Sequence, residues 1–447
     1  MFPFLAQVPV TPPTPPPKEI VQFHRVRVLP GELDAVPVFN SNSPELVQTE
    51  GILLSTFPPG KMRVPTAHLD FAFNGRFDVF AHHIAKPQDP TNLRTLYLGV
   101  LLHNPGDRPV TVDILQAASY LSQPDAPFID LPAYVPNAKG TVYAGPGSRA
   151  MSDVLRGKRQ AEFPAQVVIP PGESRMVMNL PIPVRELQPP LNGRSSLMRL
   201  RTNGAVYAAS LAQFAKDNPD GTERPPTLAE WQTLLETGEL ALPRDRTPTP
   251  PEQSSGAMIY GRVAGVAQGS KWSAYITDDL NSARLTIPKT GAFSYGLSTL
   301  ARGTLGTEQV QTATMLRRYP DTAYAAHGNY AIEYSLTLPL QNTDSKERTV
   351  ALLIQTPIKQ DQLRGGIRFL DPPARNVFFR GTVRVRYTDD RGLPQTLYTH
   401  LVQRRGQQGE PLITMKMKSG EFRLVQVDFL YPPDATPPQV LTIQTLY

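Results

Sequence analysis

The sequence predicts an all-β protein: two β-sandwich-like domains with one short helix between them. Three observations carry that expectation. Proline is abundant, 48 of 447 residues, and scattered over the whole chain, which forbids long helices and favours short strands closed by turns. Apolar or alternating runs recur, each ending at Pro, Gly, Asn or Asp. One pattern of strand, polar turn and strand occurs twice.

In chain order, residues 1–17 read as a signal-peptide remnant and a Pro-rich leader. "FPFLAQ" has the character of an export signal's end, with cleavage near Ala6 or Gln7, and Pro9 to Pro17 make an extended spacer. The expected address is periplasmic or extracellular, at the cell surface. Residues 18–216 form the first domain, with strands expected at "HRVRVLP", "TLYLGVLLHN", "PVTVDILQ", "AQVVIPPG", "SRMVMNLPIPV" and "GAVYAASL". Residues 217–256 form a linker that contains the helix. Thr227 and Glu230 make a capping box, Leu228, Trp231, Leu234 and Leu235 share one face, and Gly238 stands where a helix stops. That apolar face needs a partner, and the first domain is the nearest. Residues 257–447 form the second domain, with strands at "YAIEYSLTLPLQN", "TVALLIQTPI", "GTVRVRYTDDRG" and "FRLVQVDFLYP".

The two domains echo one another. Tyr97 to Gln116 and Tyr334 to Gln355 each run from a strand ending in Asn104 or Asn342, through a polar turn and an arginine, to a strand ending in glutamine. "PGESRMV" is echoed by "SGEFRLVQV", and "FAHHIA" precedes the first copy about as "YAAHGNY" precedes the second. An internal duplication follows.

Much chemistry is excluded. The chain has no cysteine, which removes disulfides, thiol nucleophiles and zinc–thiolate sites. There is no G-x-S-x-G, H-E-x-x-H or Walker motif, and no apolar run long enough for a transmembrane helix. Gly145, Gly147 and Ala150 satisfy G-x-G-x-x-A, but the strand before them is short, Pro146 fills the turn and Gly157 ends any helix early, so a tight loop at a sandwich edge is expected and no cofactor. "DNPDGTE" lacks a complete calcium-loop order and reads as a solvated turn.

Three sets of side chains are candidates for function. Leu363 to Arg405 carries a local net charge of +6, equal to the formal charge of the entire chain. Within it Arg380, Arg384 and Arg386 share strand parity, so their guanidiniums face one way and suit sulfate, phosphate or uronate groups. An anionic glycan or a protein assembly of the cell envelope is the expected partner, and nucleic acid is not. Asp78, His82 and His83 form a candidate metal-ligating or loop-anchoring group; as a strand, "RFDVFAHHI" sends the two histidines to opposite faces, which favours anchoring over a metal. His68, His103 and His327 are histidines that converge only if the fold brings them together. Asp70, Asp78 and Glu333 are carboxylates from which a glycosidase-like pair is drawn, the alternative being a carbohydrate-active hydrolase. No catalytic residue is singled out by spacing.

At "FNGRFDVFAHHIAKP", "GTLGTEQVQTATMLRRYPDTAYAAHGNYAIEY" and "DPPARNVFFRGTVRVRY" the chain resembles a cyanobacterial family of exported proteins carrying a domain of unknown function. The resemblance covers nearly all of the chain after the leader. It implies an envelope address and brings no activity, cofactor or catalytic residue. The expected function is non-catalytic: binding or structural work in the cell envelope.

Overall fold

The computed structural model describes residues 16–253 and 255–446. The expected leader, apart from Pro16 and Pro17, lies outside the described residues. About 47% of the chain is strand and 6% helix, so the protein is essentially all-β.

The longest strand organises the first half. Asn192–Phe214 pairs antiparallel with Phe73–Ala85 on one side and Val110–Leu121 on the other. Its register with Phe73–Ala85 breaks between Thr202 and Val206, and the continuation pairs with Leu96–His103 and Gly51–Ser55. One strand therefore serves both layers of the sandwich. Gly204, at the break, passes so close to Val110 that a Cβ would lie 2.6 Å from its Cγ2. Phe77, Val79, Ala81, Met198 and Leu200 fill the core between the layers.

The opposite face of the same sheet is covered as well. Phe80, Leu197, Ala118 and Tyr120 belong to a second core with Tyr334, Val383, Phe429 and Tyr431 of the second half. Alternation along Phe73–Ala85 thus feeds two cores, odd positions one and even positions the other.

Helix α1 (Pro146–Leu155) is wedged into that seam, packing on Val110–Leu121 and Asn192–Phe214 below and on Val377–Thr388 and Phe422–Leu430 above. It is a second helix, where the sequence predicts a loop at a sandwich edge. The G-x-G motif serves close packing: a Cβ on Gly145, whose φ is +94°, would meet the Phe128 ring at 2.5 Å, and one on Gly147 would meet Pro433 at 2.2 Å. All its residues but Arg149 are buried. Burial holds a helix that Gly, Ser and Asp would not stabilise alone.

Helix α2 (Leu228–Thr237) has the expected capping box, with Thr227 N–H donating to Glu230 Oε2 at 2.7 Å. Trp231 is fully buried among Leu101, Ala209 and Leu211 of the first half. Gly99 makes room for it, since a Cβ there would stand 3.0 Å from the indole. The proline-rich stretch that follows is tied down: Arg244 Nε meets Asp321 at 2.7 Å and Ser43 Oγ donates to Asp245 at 2.7 Å.

The sheets do not end at residues 216 and 257. Lys18–Gln22, Arg25–Arg27 and Glu32–Leu33 pair with Ile367–Asp371, Gly291–Leu297 and Lys271–Tyr275 of the second half. In return, Ala264–Gln268 pairs with Pro37–Ser41. Tyr134–Pro136 pairs with Pro394–Arg404.

The echo in sequence is an echo in structure. Asn104 Nδ2 donates to Arg108 O at 2.7 Å and Ile169 O at 3.0 Å, and its Oδ1 accepts from Gly106 N at 2.9 Å. Asn342 Nδ2 donates to Lys346 O and Met417 O, both at 2.8 Å, and its Oδ1 accepts from Asp344 N at 2.9 Å. Each asparagine also exchanges backbone bonds with a Gly-Glu turn, Gly172-Glu173 or Gly420-Glu421. The upstream part of the echo does not hold. "FAHHIA" is strand, whereas the stretch at His327 is turn; the counterpart of Phe73–Ala85 is Gly291–Leu297, beside the last strand Gln439–Leu446 and with its own parallel neighbour from the N-terminal segment.

Truncating either hub leaves buried carbonyls and an N–H without partners. Asn104→Ala and Asn342→Ala are each expected to lower stability by about 3 kcal/mol, read from urea unfolding midpoints at unchanged slope.

Candidate functional site

Across the central strands the residues facing the seam form three rows: His82, Ser195 and Tyr120; Phe80, Leu197 and Ala118; Asp78, Arg199 and Gln116. The middle row is apolar and packed. Each outer row opens on a cavity.

The cavity beside Asp78 and Arg199 is a cleft of about 470 Å³ lined by five cationic side chains, Arg76, Arg156, Arg199, Lys271 and Arg384. Only two carboxylates line it, Asp34 and Glu333. The cations come from both halves and from the end of α1. Arg199 Nη2 lies 2.7 Å from Glu333 Oε2, and Lys271 Nζ 3.2 Å from Glu333 Oε1. Beneath them Arg76 Nη1 meets Asp78 Oδ1 at 2.6 Å, while Arg199 Nε stays 3.8 Å from Asp78 Oδ2. Burial pushes the Glu333 carboxyl up, but Arg199 and Lys271 outweigh it and hold the group below its ordinary value. For Asp78 burial wins: Arg199 and Arg76 offset only part of it, and the carboxyl stays above its ordinary value. Asp34 is occupied by the N–H and hydroxyl of Ser270.

Arg156 is the cation without a carboxylate partner among the described ion pairs. Its guanidinium donates to Ala138 O at 3.0 Å and to Asn137 O, and stacks 3.8 Å over the Tyr398 ring. Burial, and more weakly the nearby Arg384, pull its pKa down.

The arginine stripe lies on one face of Val377–Thr388, and that face is turned to the first half and α1. Arg384 Nη2 and Arg386 Nη2 both lie 3.1 Å from Asp428 Oδ2, and Arg384 Nη1 donates to Leu155 O at 3.2 Å. Arg380 pairs with Asp434 and stands 5.1 Å over the Phe128 ring. The three are therefore answered by carboxylates, not presented as a bare docking row. Arg384 alone of them lines the cleft.

The histidines are held apart. His83 is buried, its Nδ1 donating to Pro44 O at 2.8 Å and its Nε2 2.9 Å from Ser41 Oγ, so it anchors the turn at Ser43 and Pro44. His82 faces the other way, with Nδ1 2.7 Å from Ser195 Oγ and Nε2 3.7 Å from Glu45. Asp78 lies beneath the cationic cleft, paired with Arg76 and not lining it, and His82 lines a separate cavity of about 320 Å³ with Glu45 and Asp434. Among the described residues no three His, Asp or Glu side chains gather as a metal-binding group. His68 binds Ser55, His103 binds Ser174, and His327 lines a third cavity. Asp70 is exposed and lies outside the cleft. Sequence reasoning missed Arg156, Arg199 and Lys271; the parity of Arg199 with Leu197 in "SLMRL" was the available signal for one of them.

Buried histidines set a pH dependence. Burial holds His83 down to about 3, and burial with Arg380 holds His400 down to about 4. Both are neutral in the fold while the unfolded chain protonates them near 6.5. Their contribution to stability is complete above that value and is lost as pH falls toward 4 and then 3. At about 1.4 kcal/mol per unit of displacement the loss is a few kcal/mol for each histidine, and in His83→Gln or His400→Gln the slope of unfolding free energy between pH 6.5 and 4 is expected to flatten.

The family model for proteins of unknown function DUF3370 matches residues 24–445. No curated protein matches the sequence. Among solved structures, Lac15 from a marine microbial metagenome is 10% identical over 84% of this chain with a TM-score of 0.12, and the chain spans about half, 54%, of its length. The 11S allergen from Cocos nucifera L. is 11% identical over 89% of each chain with a TM-score of 0.10. Neither score indicates a shared fold. With the match running through nearly every described strand of both halves, the chain belongs to the DUF3370 family.

Proposed function

We propose that the protein is a non-catalytic binding or structural protein of the cell envelope, exported to the periplasm or cell surface, that docks through the cationic cleft. Its partner is an anionic envelope glycan or an envelope protein assembly. The cyanobacterial and exported setting is part of the same proposal and leans on the resemblance noted above. The observation that carries the reading is Arg156: a half-buried guanidinium near Arg384, bound only to neutral groups, in a cleft with five lining cations and two lining carboxylates. Like charges held together by the fold are relieved by an anion, and arginine forks match uronate, sulfate or phosphate oxygens.

A second reading, a carbohydrate-active hydrolase, draws on Asp78 and Glu333. Arg199 stands between them and their carboxyls are displaced in opposite directions, as in acid–base pairs. Asp78 is only 1% exposed, which leaves it without access to a substrate oxygen.

Oligogalacturonate titrated into the full chain separates the readings. Docking predicts saturable binding that weakens with salt and falls roughly tenfold in Arg156→Ser with Lys271→Ser, with no release of reducing ends. Absence of binding to any uronate, sulfate or phosphate polymer at low salt would remove the docking reading. Release of reducing ends that Glu333→Gln abolishes would put the hydrolase in its place.

A further inference from the structure

A third cavity on the seam, about 150 Å³, shares no lining residue with the cationic cleft. Asn40 and Asn42 line it from the first half, 3% and 2% exposed. They follow Val38 at alternate positions, so they face the second half while Phe39 points into the first core. Neither side chain makes a hydrogen bond among those of the described residues, and the Oδ1 atoms of both are buried without a protein partner. His327, from the second half, lines the same cavity, and its Nδ1 is also buried and unpartnered. Three such atoms on residues lining one small cavity are unusual, because buried polar groups are nearly always paired.

The lining narrows the ligand's chemistry. No carboxylate lines the cavity and its charged residues are Arg262 and Lys359, which disfavours a cation. Arg262 is already paired with Glu45. The Tyr260 and His327 rings stand 4.8 Å apart at 58°, and Lys359 Nζ donates to Tyr260 Oη at 2.8 Å. Tyr260 and Tyr330, which also line the cavity, donate their own hydroxyl protons to Ala301 O at 2.7 Å and Ala435 O at 3.1 Å. Burial and Lys359 hold His327 down to about 4, so its ring is neutral at pH 7. A carboxamide sets a donor beside an acceptor, and a pair of neighbouring hydroxyls is a neutral group that answers both at once. The volume, about five times a water's share of liquid at roughly 30 Å³ each, is on the scale of one sugar ring.

We propose that this cavity binds a neutral polyol the size of one monosaccharide, with Asn40, Asn42 and His327 Nδ1 taking vicinal hydroxyls and the Tyr260 ring taking a C–H face. The proposal does not rest on the cationic cleft. The experiment is titration of the full chain with D-glucose, D-galactose and myo-inositol, with the methyl glycosides of the two sugars in parallel, followed by calorimetry and saturation-transfer NMR. At least one polyol is expected to saturate. Its affinity falls tenfold or more in Asn40→Ala with Asn42→Ala, several-fold in Lys359→Met, and stays the same in Arg156→Ser. Binding of the methyl glycoside as well would identify a chain-end sugar as the source, and binding of the free sugar alone a free ring. No saturable binding into the millimolar range overturns the proposal and leaves ordered water as the cavity's content. Unchanged affinity in a folded double variant overturns it too; should that variant not fold, unchanged affinity in Lys359→Met, at the exposed lip, decides the same way.

Discussion

The structure depends on one sheet that is buried on both faces. In an ordinary sandwich, antiparallel strands such as these would show one face to water.

 Here the three strands Phe73–Ala85, Asn192–Phe214 and Val110–Leu121 are covered on both sides, by their own sandwich partner layer and by α1 with the second half. Side-chain alternation then no longer sorts residues into core and solvent. It sorts them between two cores, and a polar residue buried at an even position of Phe73–Ala85 must find its partner inside the seam. Asp78 and His82 are such residues, and Arg199 and Ser195 stand directly opposite them in register.

That constraint explains the ion-pair pattern. A carboxylate taken out of water is costly unless charges and hydrogen-bond donors meet it. Asp78 is met by Arg76, Glu333 by Arg199 and Lys271, and Asp428 by Arg384 and Arg386, so contacts from both halves close the seam. The compensation runs short on the acidic side. Two arginines share Asp428 and Arg156 has only neutral acceptors, so an excess of positive charge collects where the two halves meet, rather than on an outer face.

Much of this fold was legible because its signals are local. Strand runs closed by Pro, Gly and Asn, the capping box at Thr227 and Glu230, and the paired asparagine turns need only neighbouring residues to be read. The parity of Arg380, Arg384 and Arg386 was legible for the same reason. What answers those arginines was not: Asp428 lies 44 residues beyond Arg384 and Asp434 lies 54 beyond Arg380, and only the sheet order brings them together. Helix α1 was hidden likewise, since the partners that require glycine at positions 145 and 147 are Phe128 and Pro433. His82 and His83 were correctly assigned to opposite faces by parity, but the identity of each face depends on which core lies behind it.

The exchange of strands gives the seam its permanence. Residues 18–33 extend sheets of the second half before the chain has built any of the first, and Ala264–Gln268 returns to pair with Pro37–Ser41. Separating the halves would break backbone ladders as well as side-chain contacts, and it would expose Phe80, Leu197 and the buried face of α1 together. The two halves are thus held as one body along this seam, and the cavities between them are fixed in shape by the fold. A cationic cleft and a carboxamide-lined cavity built into such a joint are preorganised: their polar groups are already positioned, so a ligand meets them without the ordering cost that a mobile surface loop would impose.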